Sequence, residues 1–582
     1  MSSQFPDFEI FKSLYQQRLA SLLQGLDGAK DLFLDEELMK PLDQITGVKF
    51  LKTHGVQKIY TMQTGGFEAG AEKRVFILKP FVNRMKLLAE YINLDKMKGI
   101  KRKCQVIFTP TKLSTCDIIL EQEGIYGDLT VEEFNLDLIR LDTDVVTMEM
   151  PLYFKQFFLD NDTTWYHSIA RALSSIQGTF GTIPKAHLIG LNSMRIHDLW
   201  KMKEDRDYNP PGGPEIGSMI MLDRNLDFPT VLASQLTYEG LIAECFGIKT
   251  GVVKFEKNVT SQDAPLTLSL NSTDKVFAEI RGMHITGVFP LLSSKARQLQ
   301  SGYDKKDNLS SVSDFKQFVS EDLKELKSQH KSLALHIGAC EAIMKKKTDG
   351  SFEDVLAIEQ AMFEDTQYKD SLNFVETCIQ RQSPYLNCLR MMSLLSVCKG
   401  GIDSKTYKSL RTQFLHSFGF HHMTSFKKFK EAGLINETND KRNLFPKSRK
   451  KFNLIPKSPE AASKGPVPKD LSYVFGGAYT PFLVKIVEQL LTKPYVGGVE
   501  EMLKTLQIPA TEYKAGSSAR QTQSNFKPSQ MALKTVLVVF IGGCTHTEIN
   551  ALRFIGNQLR YRFIILTTAI VTGEEFLQSF LV

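Results

Sequence analysis

The sequence predicts an α/β protein with a large helical insertion: two domains built on parallel sheets, and a third domain that is mostly helical. Short apolar runs alternate with amphipathic segments over the first 250 or so residues, and the pattern becomes helical after about residue 247. An apolar run followed by a helical segment and a second apolar run then returns at the C-terminal end. A chain of 582 residues is longer than one hydrophobic core supports, so several domains are expected.

Residues 1–142 predict the first α/β domain. It begins with an amphipathic helix at 8–26, and apolar runs at 31–34, 75–78 and 104–108 each precede a helical segment. Strands that alternate with helices are typical of a parallel sheet covered on both faces. We therefore expect a doubly covered parallel sheet in this domain.

The second α/β domain is predicted to be discontinuous, from residues 143–246 and 531–582. Its first part carries apolar runs at 186–191 and 218–222. Its second part carries a strand at 535–541, a helix at 547–559 and a strand at 563–566. A lone βα element buries its sheet edges poorly, so we expect this segment to complete the second domain, with residues 247–530 inserted.

The inserted domain, residues 247–530, is predicted to contain an αα-hairpin over about 284–336. Two amphipathic segments flank a polar stretch at 301–311, which we interpret as the hairpin tip; two ordinary packed helices explain the pattern equally well. Residues 438–470 combine five prolines with a run of basic residues and predict an exposed basic loop. Such a loop is usually solvated surface, and contact with anionic lipid or an acidic partner is the alternative. Residues 515–530, rich in Ser, Gln and Lys, predict a flexible linker.

Composition and charge exclude several classes of protein. With 42% hydrophobic and 24% charged residues the chain is expected to be globular, and a net charge of +7 from 72 basic and 65 acidic residues does not indicate nucleic-acid binding. Eight cysteines without a CxxC pair suggest neither a disulfide framework nor a zinc site. Charged residues interrupt any signal-peptide core, and no apolar run approaches the about 18 residues of a spanning helix. We expect a cytoplasmic protein, or one peripheral on a cytosolic membrane face.

Motifs of catalysis and cofactor binding are missing. The sequence has no GxxxxGK[ST], HExxH, GxSxG or GxGxxG. Gly542 and Gly543 follow a strand as in an anion-binding turn, but no lysine accompanies them, so a tight strand-to-helix turn is the favoured interpretation. Cys340 has no histidine at an activating spacing, and adjacent His421 and His422 point to different faces. The sequence therefore predicts no enzyme, no cofactor and no metal.

The stretch 219–244 carries the densest signal. An apolar strand delivers Asp223, Arg224 and Asp227 at its C-terminal end, where α/β enzymes often place their chemistry. A buried ion-pair network that fixes the strand-to-helix corner is the alternative, and we favour it because no nucleophile or metal ligand stands beside these residues. One helix is expected from Pro229 to about Cys245, and Gly240 within it predicts close packing by a neighbouring group.

This stretch resembles the signature of the SM (Sec/Munc, syntaxin-binding) family, in particular its vacuolar-sorting branch. The matching segments are Leu-Asp-Arg-Asn-Leu-Asp at 222–227, Ser-Gln-Leu-Thr-Tyr-Glu-Gly-Leu at 234–241, Gly-Gly-Cys-Thr at 542–545 and Ala-Leu-Arg-Phe at 551–554. The signature residues are Asp223, Arg224, Asp227, Gln235, Tyr238, Glu239, Gly240, Gly542, Gly543, Glu548 and Arg553. Residues 123–128, 335–341 and 344–347 are similar to the 33B type within that branch.

The resemblance implies an arch of three domains whose hairpin and facing domain-one surface hold SNARE helices in register for vesicle docking and fusion. Carried onto this chain, the candidate SNARE contacts are Lys295, Arg297, Lys316 and Lys324, with plain solvation as the competing interpretation. It also implies a Vps-sixteen-like adaptor, the 33B-interacting apical-basolateral/SPE-type adaptor, and an indirect link to small endosomal GTPases. The location implied is peripheral, on late or recycling endosomal and lysosomal membranes.

Two rival functions are kept beside this one. A passive trafficking scaffold would share the fold but would not contact SNAREs. An α/β enzyme would use Asp223 and Arg224, and Asp223→Asn would then abolish turnover while leaving folding intact.

Overall fold

The structure is a computed structural model that describes residues 5–63, 71–203, 215–260, 264–304, 323–347, 351–438, 444–457, 468–492, 497–514 and 534–581. The chain separates into two compact units. The first contains residues 1–149, 164–180 and 199–210, and the second contains residues 150–163, 181–198 and 211–582. The domain boundaries near 142 and 246 stay predictions.

The described residues form the following helices and strands. The helices are α1 (Glu9–Gln24), α2 (Glu36–Ile45), α3 (Val48–Thr53), α4 (Val82–Met97), α5 (Ser114–Gln122), α6 (Tyr153–Phe158), α7 (Tyr166–Phe180), α8 (Leu191–Lys203), α9 (Phe228–Leu232), α10 (Tyr238–Phe246), α11 (Lys257–Thr260), α12 (Lys275–Ile280), α13 (Ile285–Asp304), α14 (Leu323–Lys347), α15 (Ser351–Glu364), α16 (Tyr368–Gln380), α17 (Tyr385–Lys399), α18 (Ser404–Phe418), α19 (Met423–Ala432), α20 (Phe445–Lys451), α21 (Phe482–Thr492), α22 (Gly497–Thr505), α23 (His546–Leu559) and α24 (Gly573–Gln578). The strands are β1 (Lys30–Leu34), β2 (Val56–Thr61), β3 (Lys73–Leu78), β4 (Lys103–Phe108), β5 (Leu129–Glu133), β6 (Ile139–Arg140), β7 (Val145–Thr147), β8 (Lys185–Ile189), β9 (Ser218–Asp223), β10 (Ile248–Lys249), β11 (Val252–Phe255), β12 (Leu266–Ser269), β13 (Ala510–Lys514), β14 (Thr535–Ile541) and β15 (Arg562–Thr567).

The first unit is built on a parallel sheet of order β2-β1-β3-β4-β5. Alternate residues of its strands enter two cores: Phe33 and Phe76 pack with α4 on one face, and Leu32 and Val75 pack with α1 and α2 on the other. Burial on both faces explains why β1, β3 and β4 read as continuous apolar runs. The predicted α/β class is confirmed.

In the second unit, β8, β9, β14 and β15 are parallel neighbours in that order, and β13 pairs antiparallel with β8. Strand β14 therefore lies between β9 and β15, so residues 218–223 and 535–567 share one sheet. All seven residues of β14 are buried. A smaller antiparallel sheet of β10, β11 and β12 follows the corner after β9.

The helical part of the second unit includes the two long helices α13 and α14, which pack against each other. Their shared core includes Leu292 and Leu299 of α13 and Leu333 and Ile343 of α14. Most of the predicted hairpin tip, the stretch 305–311, lies outside the described residues, as do Lys316 and the predicted linker at 515–530.

Two expectations about local structure were wrong. The predicted helix from Pro229 to Cys245 is two helices, because backbone N–H groups at Ser234 and Gln235 donate to the carboxylates of Glu359 and Glu244 (3.0 and 2.9 Å).

The predicted exposed basic loop is the second correction, because within 438–470 the described residues 445–451 form helix α20. Its Phe445 is buried, and Arg449 donates to the Phe363 carbonyl oxygen at 2.8 Å. The basic segment is helical because Phe445 is buried and Arg449 contacts a neighbouring segment of the chain. Its many prolines and lysines made it read as a loop in the sequence.

No helix among the described residues has the length and apolarity to cross a membrane.

Candidate functional site

Asp223, at the C-terminal end of β9, contacts the start of helix α8. Its carboxylate accepts hydrogen bonds from the N–H groups of Asn192 and Ser193 (2.8 and 2.9 Å) and from the Ser193 hydroxyl (2.6 Å), so it caps the start of α8. Gly190, at φ +110°, leaves room for it, since a Cβ there would lie 2.2 Å from the Asp223 Cγ. Burial raises the pKa of Asp223 to about 6, against the effect of these hydrogen bonds.

Arg224 forms a closed ion pair with Glu548. Its Nη1 lies 2.8 and 2.7 Å from the two Glu548 carboxylate oxygens, its Nη2 donates to the Asp227 carbonyl oxygen at 2.7 Å, and both charged side chains have no exposed surface. Glu548 also closes the capping box of α23 with Thr545. The pair therefore joins the end of β9 to the start of α23, and Asp223 is not part of it.

Asp227 fastens a third element to the same corner. One carboxylate oxygen accepts from the Thr230 N–H and the Tyr479 hydroxyl (3.1 and 3.0 Å), and the other accepts from the Thr230 hydroxyl and the Phe482 N–H (2.6 and 2.9 Å). It thus caps α9 and holds the start of α21. Every carboxylate oxygen of Asp223, Asp227 and Glu548 is buried and hydrogen-bonded, so this corner leaves no acid or base accessible to a substrate.

The turn after β14 shows why two glycines stand there. Gly542 and Gly543 have φ of +100° and +101°, and a Cβ on Gly542 would lie 2.9 Å from the Arg224 Cβ. The Gly542 N–H donates to the Thr568 hydroxyl at 3.1 Å. At the start of the helix that follows, the Thr545 N–H donates to the Glu548 carboxylate at 2.9 Å, so this chain's own side chain supplies the anion there.

A second set of signature residues fastens α10 to α23. The Gln235 side-chain oxygen accepts from the Thr547 N–H and hydroxyl (3.2 and 2.8 Å). A Cβ on Gly240 would lie 2.8 Å from that same glutamine's Cβ and side-chain oxygen, which is the close packing that the glycine predicted.

Glu239 of α10 faces His546 and Arg553 of α23. Its carboxylate lies 3.3 Å from His546 Nδ1 and 3.3 Å from Arg553 Nη1. Burial alone would raise the pKa of Glu239, but His546, Arg553 and Arg281 outweigh it and lower the pKa to about 2. This carboxylate is therefore ionised and acts as an electrostatic tie between the two helices.

Tyr238 begins a partly buried chain of polar contacts to the middle of α14, which we call the hairpin clamp: Tyr238, His336, Asp274 and Ser332. The Tyr238 hydroxyl lies 2.9 Å from His336 Nδ1, His336 Nε2 lies 3.2 Å from an Asp274 carboxylate oxygen, and the Ser332 hydroxyl donates to Asp274 at 2.7 Å. Asp274 also caps α12. The clamp thus holds α14 to α10 and α12, and sequence reasoning missed it, although two polar residues on the apolar side of a helix were a readable signal.

The candidate SNARE contacts are only partly described. Lys295 is half-buried and pairs with Glu279 at 2.7 Å, whereas Arg297 is exposed and has no partner among the described residues. Lys316 and the side chain of Lys324 lie outside them. Two cations that the sequence interpretation did not single out, Lys327 and Lys331, are exposed at i, i+4 spacing on α14.

A comparison with protein families matches the Sec1 family model over residues 30–579. The chain belongs to the Sec1 family, the SM proteins of vesicle trafficking. It is 38% identical over 609 aligned residues to the vacuolar protein sorting-associated protein 33B of mouse and to that of human, with 99% of this chain and 97% of each relative covered. It is 30% identical to the rat 33A protein, over 98% of this chain and 97% of that one. The resemblance to the 33B type is confirmed.

Solved structures agree on the fold. The Monosiga brevicollis Unc18–syntaxin 1 complex matches with a TM-score of 0.60 at 16% identity, over 98% of this chain and 99% of that chain. The SM protein Vps45 in complex with the Qa SNARE Tlg2 matches with a TM-score of 0.59 at 17% identity, over 99% and 98%. These family members are trafficking proteins, and their fold is the fold of this chain.

Proposed function

We propose that this chain binds SNARE helices along α13 and α14 and holds them in register during vesicle docking and fusion on the endosomal and lysosomal pathway. The observation that carries the proposal is a packed pair of helices with exposed charge. Helices α13 and α14 share one core, the hairpin clamp holds the middle of α14, and Arg297, Lys327 and Lys331 remain exposed. A platform that is already ordered lowers the entropy that must be lost when partner helices align.

The relatives support the same direction. Two of the matched structures hold an SM protein with a syntaxin or a Qa SNARE, and the mouse and human relatives are named for vacuolar sorting. We also propose that a Vps-sixteen-like adaptor binds this chain and that the complex is peripheral on endosomal and lysosomal membranes. Similarity to the 33B type supports these two points, and no docking residue is assigned.

Binding of the purified full chain to an assembled bundle of endosomal SNAREs tests the platform. Reversing Arg297, Lys327 and Lys331 to Glu should weaken binding about tenfold or more, since each exposed charge contributes on the order of 0.2–1 kcal/mol and reversal adds repulsion. A matched control reverses three exposed lysines elsewhere in the second unit, Lys405, Lys408 and Lys504. If both variants weaken SNARE binding equally, the loss reflects net charge alone and contradicts a binding surface on α13 and α14.

No binding by wild type, with the adaptor still co-purifying, would favour the passive scaffold. The enzyme alternative has little support, because the corner that it would use is closed by Arg224 and Glu548. The enzyme alternative predicts that Asp223→Asn abolishes a catalytic turnover without lowering the melting temperature.

A further inference from the structure

We propose that a cavity in the helical part of the second unit binds a zwitterionic small molecule with an apolar body, the chemical class of a free aromatic amino acid. The cavity has a volume of about 550 Å³, which is within the range of ligand sites in proteins. It lies where α15, α16 and α17 meet the ends of α10 and α14 and the start of α24, and we call it the α17 cavity. The proposal does not depend on SNARE binding.

One part of the wall of the α17 cavity is apolar. It is lined by Phe352 and Val355 of α15, Phe374 of α16 and Met391 of α17. The first three are only partly buried, so an apolar ligand that packed on them would remove further apolar surface from water. This part of the wall favours a ligand with an aromatic or branched side chain.

Arg390 of α17 offers hydrogen-bond donors to the cavity. Its Nη1 donates to the Leu232 carbonyl oxygen (2.8 Å), to Glu359 Oε1 (2.6 Å) and to the Ser234 hydroxyl oxygen (3.3 Å). Its Nε and Nη2 make no hydrogen bond to the described residues, and both atoms remain accessible. Asn387, one turn earlier on α17, also lines the cavity, and its side-chain amide has no partner in the described part of the chain. A carboxylate suits these donors, because a guanidinium group binds it through two parallel hydrogen bonds.

Glu574, at the start of α24, supplies the opposite charge. Its side chain lines the cavity, is exposed and forms no ion pair with any described residue. It attracts the Arg390 guanidinium through space, but the two groups are too far apart to form an ion pair. A guanidinium and a carboxylate that face one cavity without touching leave room for a ligand with a carboxylate and an ammonium group of its own. An α-amino acid carries both groups on one carbon atom.

The charges around the cavity are balanced, which argues against a phosphate or another simple anion. The wall carries three cations and two carboxylates, and a third carboxylate is bound to one of the cations: Lys346, Lys347, Arg390, Glu244, Glu574 and Glu359. Lys347 is paired with Glu244 at 3.1 Å, and Lys346 donates to a backbone carbonyl oxygen at 2.7 Å. Glu353 and Asp354 are exposed directly after Phe352 and add negative charge nearby. A phosphate would meet at least as many carboxylates as cations, whereas a zwitterion adds no net charge.

Calorimetric titration of the full chain with L-phenylalanine tests the proposal. Wild type should bind this amino acid with a dissociation constant of about 1 mM or lower. N-acetyl-L-phenylalanine lacks the ammonium group and should bind about fivefold more weakly, and L-phenylalaninamide lacks the carboxylate and should bind more than about tenfold more weakly. The acetylated compound also represents the last residue of a peptide. If it binds more tightly than the free amino acid, the cavity takes a chain end and the proposal is wrong.

Two variants assign the binding to this cavity. Glu574→Gln should weaken the binding of L-phenylalanine about fivefold but leave that of N-acetyl-L-phenylalanine unchanged, because only the free amino acid has an ammonium group to lose a partner. Val355→Trp fills the cavity and should abolish the binding of both compounds. The matched control is Glu501→Gln, at an exposed glutamate of α22, which should bind as wild type does.

Three results would overturn the proposal. The first is that wild type does not bind L-phenylalanine at about 1 mM. The second is that Glu574→Gln weakens the binding of both compounds equally, or no more than the Glu501→Gln control does. The third is unchanged binding in a folded Val355→Trp variant, which would place the ligand elsewhere. If Val355→Trp does not fold, the comparison of the two compounds in Glu574→Gln still decides.

Discussion

Replacing Glu548 by glutamine tests how the buried corner is held together. The change removes the negative charge from a pair whose two side chains have no exposed surface, and it leaves the buried Arg224 guanidinium with Asp227 alone, 3.5 Å from Nη2, as its counter-charge. Breaking one side of such a pair costs about 3–5 kcal/mol, and the weakened cap on the Thr545 N–H adds up to about 1 kcal/mol. We expect the second unit to lose about 4 kcal/mol of stability.

Hydrogen exchange on the full chain measures this loss locally, which suits a protein of two units. Amides at the start of α23 should exchange on the order of 10³ times faster in Glu548→Gln, since about 1.4 kcal/mol is tenfold. The double variant Arg224→Met with Glu548→Leu is the control, because it removes the buried cation together with Glu548. Asp227 keeps its hydrogen bonds from Thr230, Tyr479 and Phe482, so much of the protection should return. Protection in Glu548→Gln within about fivefold of wild type, or a double variant less protected than either single one, would refute the reasoning.

Three further changes probe other contacts. Gly338→Ala places a Cβ 2.2 Å from the Val259 carbonyl oxygen, so it should cost about 2 kcal/mol of stability, measured as a lower melting temperature. Gly498→Ala is the control, because its Cβ meets no atom within 4 Å and the melting temperature should not fall. Glu239 has a pKa of about 2 against an ordinary 4.5, so its ionised form stabilises the fold by about 3 kcal/mol. This stabilisation is complete above pH 4.5 and is lost as pH falls toward 2. In Glu239→Gln, the free energy of unfolding should therefore fall less steeply between pH 4.5 and pH 2 than in wild type. Tyr238→Phe removes the hydroxyl next to His336 and should cost about 1 kcal/mol of stability. The loss should appear as faster amide exchange around His336 in α14. Unchanged exchange there would mean that the clamp does not hold this helix.

The strands found from the sequence are those buried on both faces. Strand β14 and most of β1, β3 and β4 carry uninterrupted apolar side chains, which periodicity detects directly. Strand β2 has exposed Gln57 and Lys58, and β5 has exposed Thr130, because both lie at sheet edges and face water. Their polar pattern resembles that of a loop, so periodicity does not distinguish these two strands from loops.

The contacts of the corner were beyond sequence reasoning for a different reason. Arg224 and Glu548 are 324 positions apart, and Tyr238 and His336 are 98 apart. A buried charged residue such as Arg224 needs a partner of opposite charge, but the sequence does not show which residue the fold brings next to it. Asp223 is an example: it is the last residue of β9 and precedes Arg224, yet its carboxylate accepts hydrogen bonds from the start of α8.

The closed corner leaves the helices as the place for the partner surface that we propose. In parallel α/β sheets, ligands usually enter at the carboxyl ends of the strands. Here that edge holds the buried ion pair of Arg224 and Glu548, and hydrogen bonds occupy the carboxylate of Asp223. Helix α23, which carries Glu548, also contacts Gln235 just before α10 and Glu239 within α10, and Tyr238 beside them contacts His336 of α14. The corner thus connects the sheet to α14, and the binding of partner helices that we propose would use α13 and α14 rather than this corner.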